Sequence, residues 1–199
     1  MKPNRMVACI ASLSMVLTPL AVSAQEVTIS RSVLPDLPYT LVYPAAMQAS
    51  GGGADPITLN HPDAPLQCDL TIVAVEDTDW SPETALSELD DAQIADTWTQ
   101  MLPGFALESK GVAQYQNTSA LTYEGTSTDS EMGIPLTLVH TETVANGRGY
   151  ALDCLYAADQ GEQARPIVDF IVTNFSTRAD ANCCVGLEPA VEPDAPAAQ

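Results

Sequence analysis

Cys68, Cys154, Cys183 and Cys184 are the residues of this chain with the most specific chemistry: thiols that pair with one another, exchange, or bind soft metals. Four cysteines allow three pairings. If the strand that begins at Cys68 lies antiparallel to the strand holding Cys154, the start of one meets the end of the other and the two sulfurs approach. Cys68 shares a face with Leu70, and Cys154 shares one with Leu152 and Tyr156, so both are expected in the core. A bridge there closes a loop of more than eighty residues, for which the chain-entropy argument gives roughly 4 to 5 kcal/mol. The adjacent Cys183 and Cys184 are expected at the opposite end of the sheet from Cys68. Their options are a vicinal disulfide, two free thiols, a link to another chain, or a soft-metal site; a local bridge stiffening the exit from a helix is the leading expectation.

The other reactive side chains are sparse. Two thiols do not make a zinc site, which wants four ligands, and His61 and His140 are the only imidazoles in the chain. His140 alternates with Leu136 and Leu138, the pattern of a packed or rim histidine. No G-x-S-x-G nucleophile elbow is present. Asp90 and Asp91 read as a solvated helix break, and Glu124 and Glu142 as surface carboxylates that could neighbour one another across strands. Gly51, Gly52 and Gly53 could cradle a phosphate, but no basic residue or helix start follows them, so they read as a loop. Asn117 and Asn174 match the glycosylation sequon by chance, the second inside an expected helix. No catalytic, cofactor-binding or metal-ligating residue is assigned, no cofactor is expected, and the chain is read as a non-enzyme.

Composition narrows the setting. Lys2 and Arg5 precede an apolar run over residues 6–17, Pro19 interrupts it, and Val22, Ser23 and Ala24 suit a signal peptidase. Residues 1–24 are therefore expected to be a cleaved signal peptide, with a periplasmic or secreted product beginning at Gln25. Cys9 lies too early in the apolar run to carry a lipid anchor. Cleavage leaves Arg31, Lys110, Arg148, Arg165 and Arg178 against 26 acids, a formal charge of −21 in place of −19. Such a surface repels phosphate backbones and anionic headgroups, which excludes nucleic acid, and no later stretch approaches the roughly 20 consecutive apolar residues of a spanning helix, so no stable membrane insertion is expected after cleavage. Cations or a basic protein face remain compatible, although acids scattered so evenly more often serve solubility. At 46% hydrophobic the chain holds enough apolar material for one folded domain.

The elements follow from periodicity and punctuation. Residues 25–38, with Pro35 and Pro38, read as an irregular lead-in, and residues 39–43 as a short strand. Residues 57–60 and 68–75 are further strands; both faces of the second are partly apolar, so helices are expected on both faces of the sheet. Ser81, Pro82 and Glu83 are an N-cap, a proline at N1 and a first-turn acid, opening a helix expected to reach Leu102 with Ile94, Trp98, Met101 and Leu102 on one stripe. Residues 105–115, 120–127, 134–144 and 148–156 form an antiparallel meander, its last turn a type I′ hairpin at Asn146–Gly147. A closing helix over residues 163–176 buries Ile167, Phe170, Ile171, Asn174 and Phe175. Residues 39–184 thus make a single α+β domain, and the Pro-, Ala- and acid-rich residues 185–199 an unstructured tail.

The ending GRGYALDCLYAADQGEQARPIVDFIVTNFS and the opening YTLVYPAAM resemble the last strand and helix, and the strand-then-Pro start, of the PsbP/DcrB/LpqN-like fold family. The resemblance spans about residues 39–176 and implies an α/β/α sandwich: an antiparallel sheet with helices packed on its faces, used as a binding or assembly module and often exported. It carries no catalytic residues over. The extreme acidity and the pair at Cys183 and Cys184 depart from it. The reading is an exported binding or accessory module for an unknown protein or small ligand. The alternatives are a metal- or thiol-handling envelope protein using Cys183 and Cys184, and an uncharacterised hydrolase.

Overall fold

The structure, a computed structural model, describes residues 26–32, 34–53, 55–76 and 79–184. The expected signal peptide and acidic tail lie outside them. Strand β1 (Val27–Arg31) pairs antiparallel with β2 (Thr40–Pro44) to make a separate two-stranded ribbon. This corrects the irregular lead-in. The prolines that dominate that stretch sit in the connection after β1, and the β-branched Val27, Thr28 and Ile29 pair with the wholly buried β2.

Strands β3 (Gln48–Gly51), β4 (Ile57–Asn60) and β5 (Leu66–Ala74) open the main sheet. The exposed and polar β3 has no hydrophobic pattern of its own and exists through its pairing with β4. Helices α1 (Pro82–Glu88) and α2 (Asp91–Thr99) come next. The Ser81 hydroxyl caps α1 by accepting from the Thr84 N–H at 3.2 Å, and the Asp90 carboxylate caps α2 by accepting from the Ala92 N–H at 2.8 Å. The helix expected to reach Leu102 is thus interrupted at the break read at Asp90 and Asp91, where Asp90 caps a second helix that ends at Thr99.

Strands β6 (Phe105–Gln114), β7 (Ser119–Ser127), β8 (Leu136–Ala145) and β9 (Arg148–Ala157) form the meander, and after a single 3₁₀ turn α3 (Gly161–Asn174) closes the chain. Asn146 and Gly147 adopt φ of 54° and 70°, the two positive values a type I′ turn requires. The seven main strands are antiparallel, in the order β3-β4-β5-β9-β8-β7-β6. On α3 and its C-cap, Ile171, Asn174 and Phe175 are buried as expected, whereas Ile167 and Phe170 pack at the margin and Ala164, Val168 and Val172 are buried beside the stripe.

The two faces of the sheet are covered unequally. One lies under α3 and the β1–β2 ribbon, where Leu41, Leu59, Leu70, Tyr115, Leu152, Val168 and Phe175 make a continuous core. On the other, α1 and α2 rest on β6 and β7 and bury Ile94, Trp98, Phe105, Leu121 and Leu138. Among the described residues, helical cover of both faces therefore holds for only half of the second, and neither α1 nor α2 packs extensively on its β5–β9 half. Among the described residues no helix is long and apolar enough to cross a membrane.

Candidate functional site

Strand alternation decides what the half-bare face presents. Residues i and i+2 of a strand share a face, so β8 sends His140, Glu142 and Val144 to it, β9 sends Gly149, Ala151 and Asp153, and β5 sends Asp69, Thr71 and Val73. The register aligns these sets in rows. One row runs Thr58, Asp69, Asp153, His140, Tyr123 and Lys110 across six strands. It is polar from end to end, and its parts are bonded: the Thr58 hydroxyl and the Gln67 amide donate to Asp69 at 2.5 and 2.7 Å, and Lys110 pairs with Asp91 at 2.6 Å.

His140 is the centre of this row. It is buried, with the Tyr123 ring stacked on it at a centroid distance of 4.3 Å and Trp98 edge-on at 5.8 Å. The Trp98 indole N–H donates to the Tyr123 hydroxyl at 2.7 Å and fixes that ring. His140 Nδ1 lies 2.5 Å from Asp153 Oδ1, while Nε2 faces Glu142 Oε2 at 3.5 Å, long for a hydrogen bond, and finds no closer partner among the described residues. Burial alone pushes the imidazole pKa down, but hydrogen bonding and charge from Asp153 and Glu142 outweigh it and raise it to about 9. His140 is accordingly a cation at neutral pH, held between two carboxylates. Burial also raises the Tyr123 phenol, which stays neutral.

Beyond His140, toward the Asn146–Gly147 turn, the rows become apolar and sink into a groove. Val73, Val75, Val144, Ala151 and Trp80 line a concavity of about 310 Å³, with Glu142 at its inner end. Gly149 deepens it: a β-carbon there would lie 3.1 Å from the Val75 side chain and 3.4 Å from that of Val73. Val73 is 52% exposed.

As a catalytic device the His140–Asp153 pair is incomplete. A general base needs a proton donor within hydrogen-bond reach. Nε2 is enclosed, and among the described residues it has no hydroxyl or thiol to activate. Nor do three or more His, Cys, Asp or Glu side chains converge on a point where a metal ion would sit, among the described residues.

The residues singled out from sequence are dispersed. Cys68 and Cys154 pair in register between β5 and β9, on the α3 side, with Cα atoms 4.0 Å apart and their sulfurs joined. Beyond α3 the sulfurs of Cys183 and Cys184 meet one another. His61 follows β4 and accepts the Asp63 N–H on Nδ1. Glu124 and Glu142 are not neighbours: Glu124 lies opposite Val139 and binds Arg165 of α3, whereas Glu142 lies opposite Leu121 on the other face. Asn174 is buried with its amide donating to the Phe170 carbonyl, and the Asn117 amide donates to Thr177, so both sequon side chains serve packing. Asp153, Trp80 and Tyr123 are the site residues that sequence reasoning passed over.

No protein-family profile and no curated protein matches the chain. Among solved structures it is similar to cyanobacterial PsbP (CyanoP) from Synechocystis sp. PCC 6803, with a TM-score of 0.53 at 13% identity over 81% of this chain and 97% of that one. A Bacteroides thetaiotaomicron protein, of which the match covers only 50%, gives a TM-score of 0.52 at 9% identity over 79% of this chain. The Ran-binding protein Mog1p of Saccharomyces cerevisiae gives 0.50 at 8% identity, over 77% of this chain and 96% of that one. With its antiparallel sheet and the helices against it, the chain has a PsbP-like α+β fold, as its last strand and helix led one to expect.

Proposed function

We propose that the chain is an exported, non-enzymatic binding or accessory module whose ligand surface is the half-bare sheet face. One observation carries this reading: a sheet face built for burial is left without a helix over β5 and β9 by the described residues, and that part is a concave apolar groove beside a fixed charged cluster. Ligand pockets share that composition, apolar walls with a few placed polar groups. The fold leaves function open, since one fold hosts many functions. A partner is nonetheless familiar on this architecture, as the name of Ran-binding Mog1p says of that protein.

The test has two arms. Mature protein isolated from an expressing cell envelope is expected to begin at Gln25, and a retained leader on cytosolic material overturns the export half. Fragment screening by amide-resolved NMR is expected to gather its hits at Thr71, Val73, Val144 and Ala151, and to lose them in Ala151→Phe, which fills the groove. Turnover of ester, phosphate or glycoside substrates by the purified protein overturns the non-enzymatic half.

A further inference from the structure

We propose that the groove takes a small organic monocation: an ammonium or guanidinium head set against Glu142, with an apolar body lying on Val73, Val144 and Ala151 beside Trp80. The proposal rests on the binding-module reading above and names the ligand's chemistry.

Size comes first. At roughly 30 Å³ for each water-sized group, 310 Å³ holds about ten non-hydrogen atoms, the scale of one small molecule. The walls set its body. Three valines and Ala151 offer no hydrogen bond through their side chains, so an apolar skeleton loses nothing by lying there. Trp80 supplies an aromatic ring, a favourable neighbour for a cation.

The sign of the head follows from the cluster. Among the described residues lining the groove, Glu142 is the charged one. Its Oε2 is turned to His140, its Oε1 has no protein partner among the described residues, and its side chain is 39% exposed. His140 brings one positive charge and Asp153 with Glu142 bring two negative ones, so the cluster carries a net charge of −1 at the inner end of the groove. One monovalent cation balances it. The nearby bases are directed elsewhere: Lys110 is held by Asp91 and the Leu89 carbonyl, and Arg148, alternating with the groove-lining Gly149, points to the opposite face and donates to the Asp36 carbonyl. An anionic ligand would meet no cation among the described residues lining the groove, inside a chain of formal charge −19. The buried Nε2 of His140 lies within ion-pair range of Glu142 Oε2, at 3.5 Å, and makes no hydrogen bond among the described residues.

Three probes of one skeleton separate the possibilities: phenethylammonium, 2-phenylethanol and phenylacetate, titrated into the full mature protein and followed by amide and indole NMR shifts. Phenethylammonium is expected to shift Thr71, Val73, Trp80, Val144 and Ala151, with an affinity at least about tenfold above that of the alcohol, weakening as salt is raised. Phenylacetate is expected to leave the groove unmoved. Glu142→Gln, a change at a half-exposed side chain, is expected to bring the ammonium down to the alcohol while both still shift the groove. Equal binding of ammonium and alcohol to the wild type, or an ammonium preference that survives Glu142→Gln, overturns the cation inference and leaves the groove reading standing. If none of the three shifts the groove, both fall.

Discussion

The two faces of the sheet are built to opposite rules. On the α3 side the chain is dry and cross-linked: Cys68 and Cys154 join β5 to β9, and Tyr115, Phe175 and Tyr150 pack ring against ring at 4.8 and 6.0 Å. On the other side a histidine between two carboxylates marks the edge of the helical cover, and apolar residues lie open past it. One face spends its side chains on stability; the other keeps surface that stability would have used. A binding face has to remain unfilled, and the face proposed for binding is the one where the described residues stop covering the sheet.

The sharpest break in this comparison is removal of the covalent tie. Cys68→Ala with Cys154→Ala is expected to lower unfolding stability by roughly 4 to 5 kcal/mol, the chain-entropy value for a sequence separation of 86. Denaturant melts of oxidised and reduced wild type beside the double variant check it, and a reduced wild type as stable as the oxidised one sinks it. Next in size is Asp153→Ala, which leaves His140 buried beside a single distant carboxylate. A loss of about 3 kcal/mol is expected, as for other enclosed pairs deprived of one partner.

The charged cluster also gives the half-bare face a pH dependence that the α3 face lacks. His140 meets Asp153 from β9 and Glu142 from β8, with uncharged Tyr123 from β7 and Trp98 from α2 packed on its ring. Its folded pKa of about 9 lies above the ordinary imidazole value of 6.5. The folded state therefore binds a proton that the unfolded state releases. This contribution is complete below about pH 6.5 and is lost as pH rises through 9. Between pH 7 and 10 it amounts to roughly 2 kcal/mol. Melts across that range should show the decline in wild type and a flatter profile in His140→Phe; parallel profiles would show that the histidine is not charged in the folded state. A smaller effect is expected on the α3 side from Arg165→Met, which removes the link to Glu124 and the 2.8 Å pair with Asp169. These side chains are half-exposed, so about 0.5 kcal/mol is expected by chemical denaturation.

Much of the fold is legible because local patterns dictate it. From β6 to β9 the strands are separated by Asn, Gly, Ser or Asp, and the two positive φ angles of the Asn146–Gly147 turn fix the last register. That register also contains the site, since His140 and Asp153 are equidistant from the turn and must face each other. What local pattern does not carry is placement across the chain. The stripe of Ile94 and Trp98 shows that α2 buries a face, but not that α1 and α2 settle on β6 and β7 and, among the described residues, leave β5 and β9 without a helix on that face. Likewise β3 is polar and exposed, and its pairing with β4 alone makes it a strand. The groove is a consequence of where cover ends, which no run of residues encodes.

The finest discrimination comes from one substitution made on each face. Val139 on β8 is buried against the α3 core, and Val73 on β5 is 52% exposed in the groove. Threonine has nearly the shape of valine and suits a strand equally well, so Val→Thr changes little except that it places a hydroxyl where a methyl was. Under α3 that hydroxyl must find a partner or be buried without one, and Val139→Thr is expected to lose about 1 to 2 kcal/mol. In the groove it is hydrated, and Val73→Thr should stay within about 0.5 kcal/mol of wild type. Paired thermal and urea melts measure the difference. Should Val73→Thr destabilise as strongly as Val139→Thr, Val73 must be covered in solution, and the contrast between a filled face and an open one disappears.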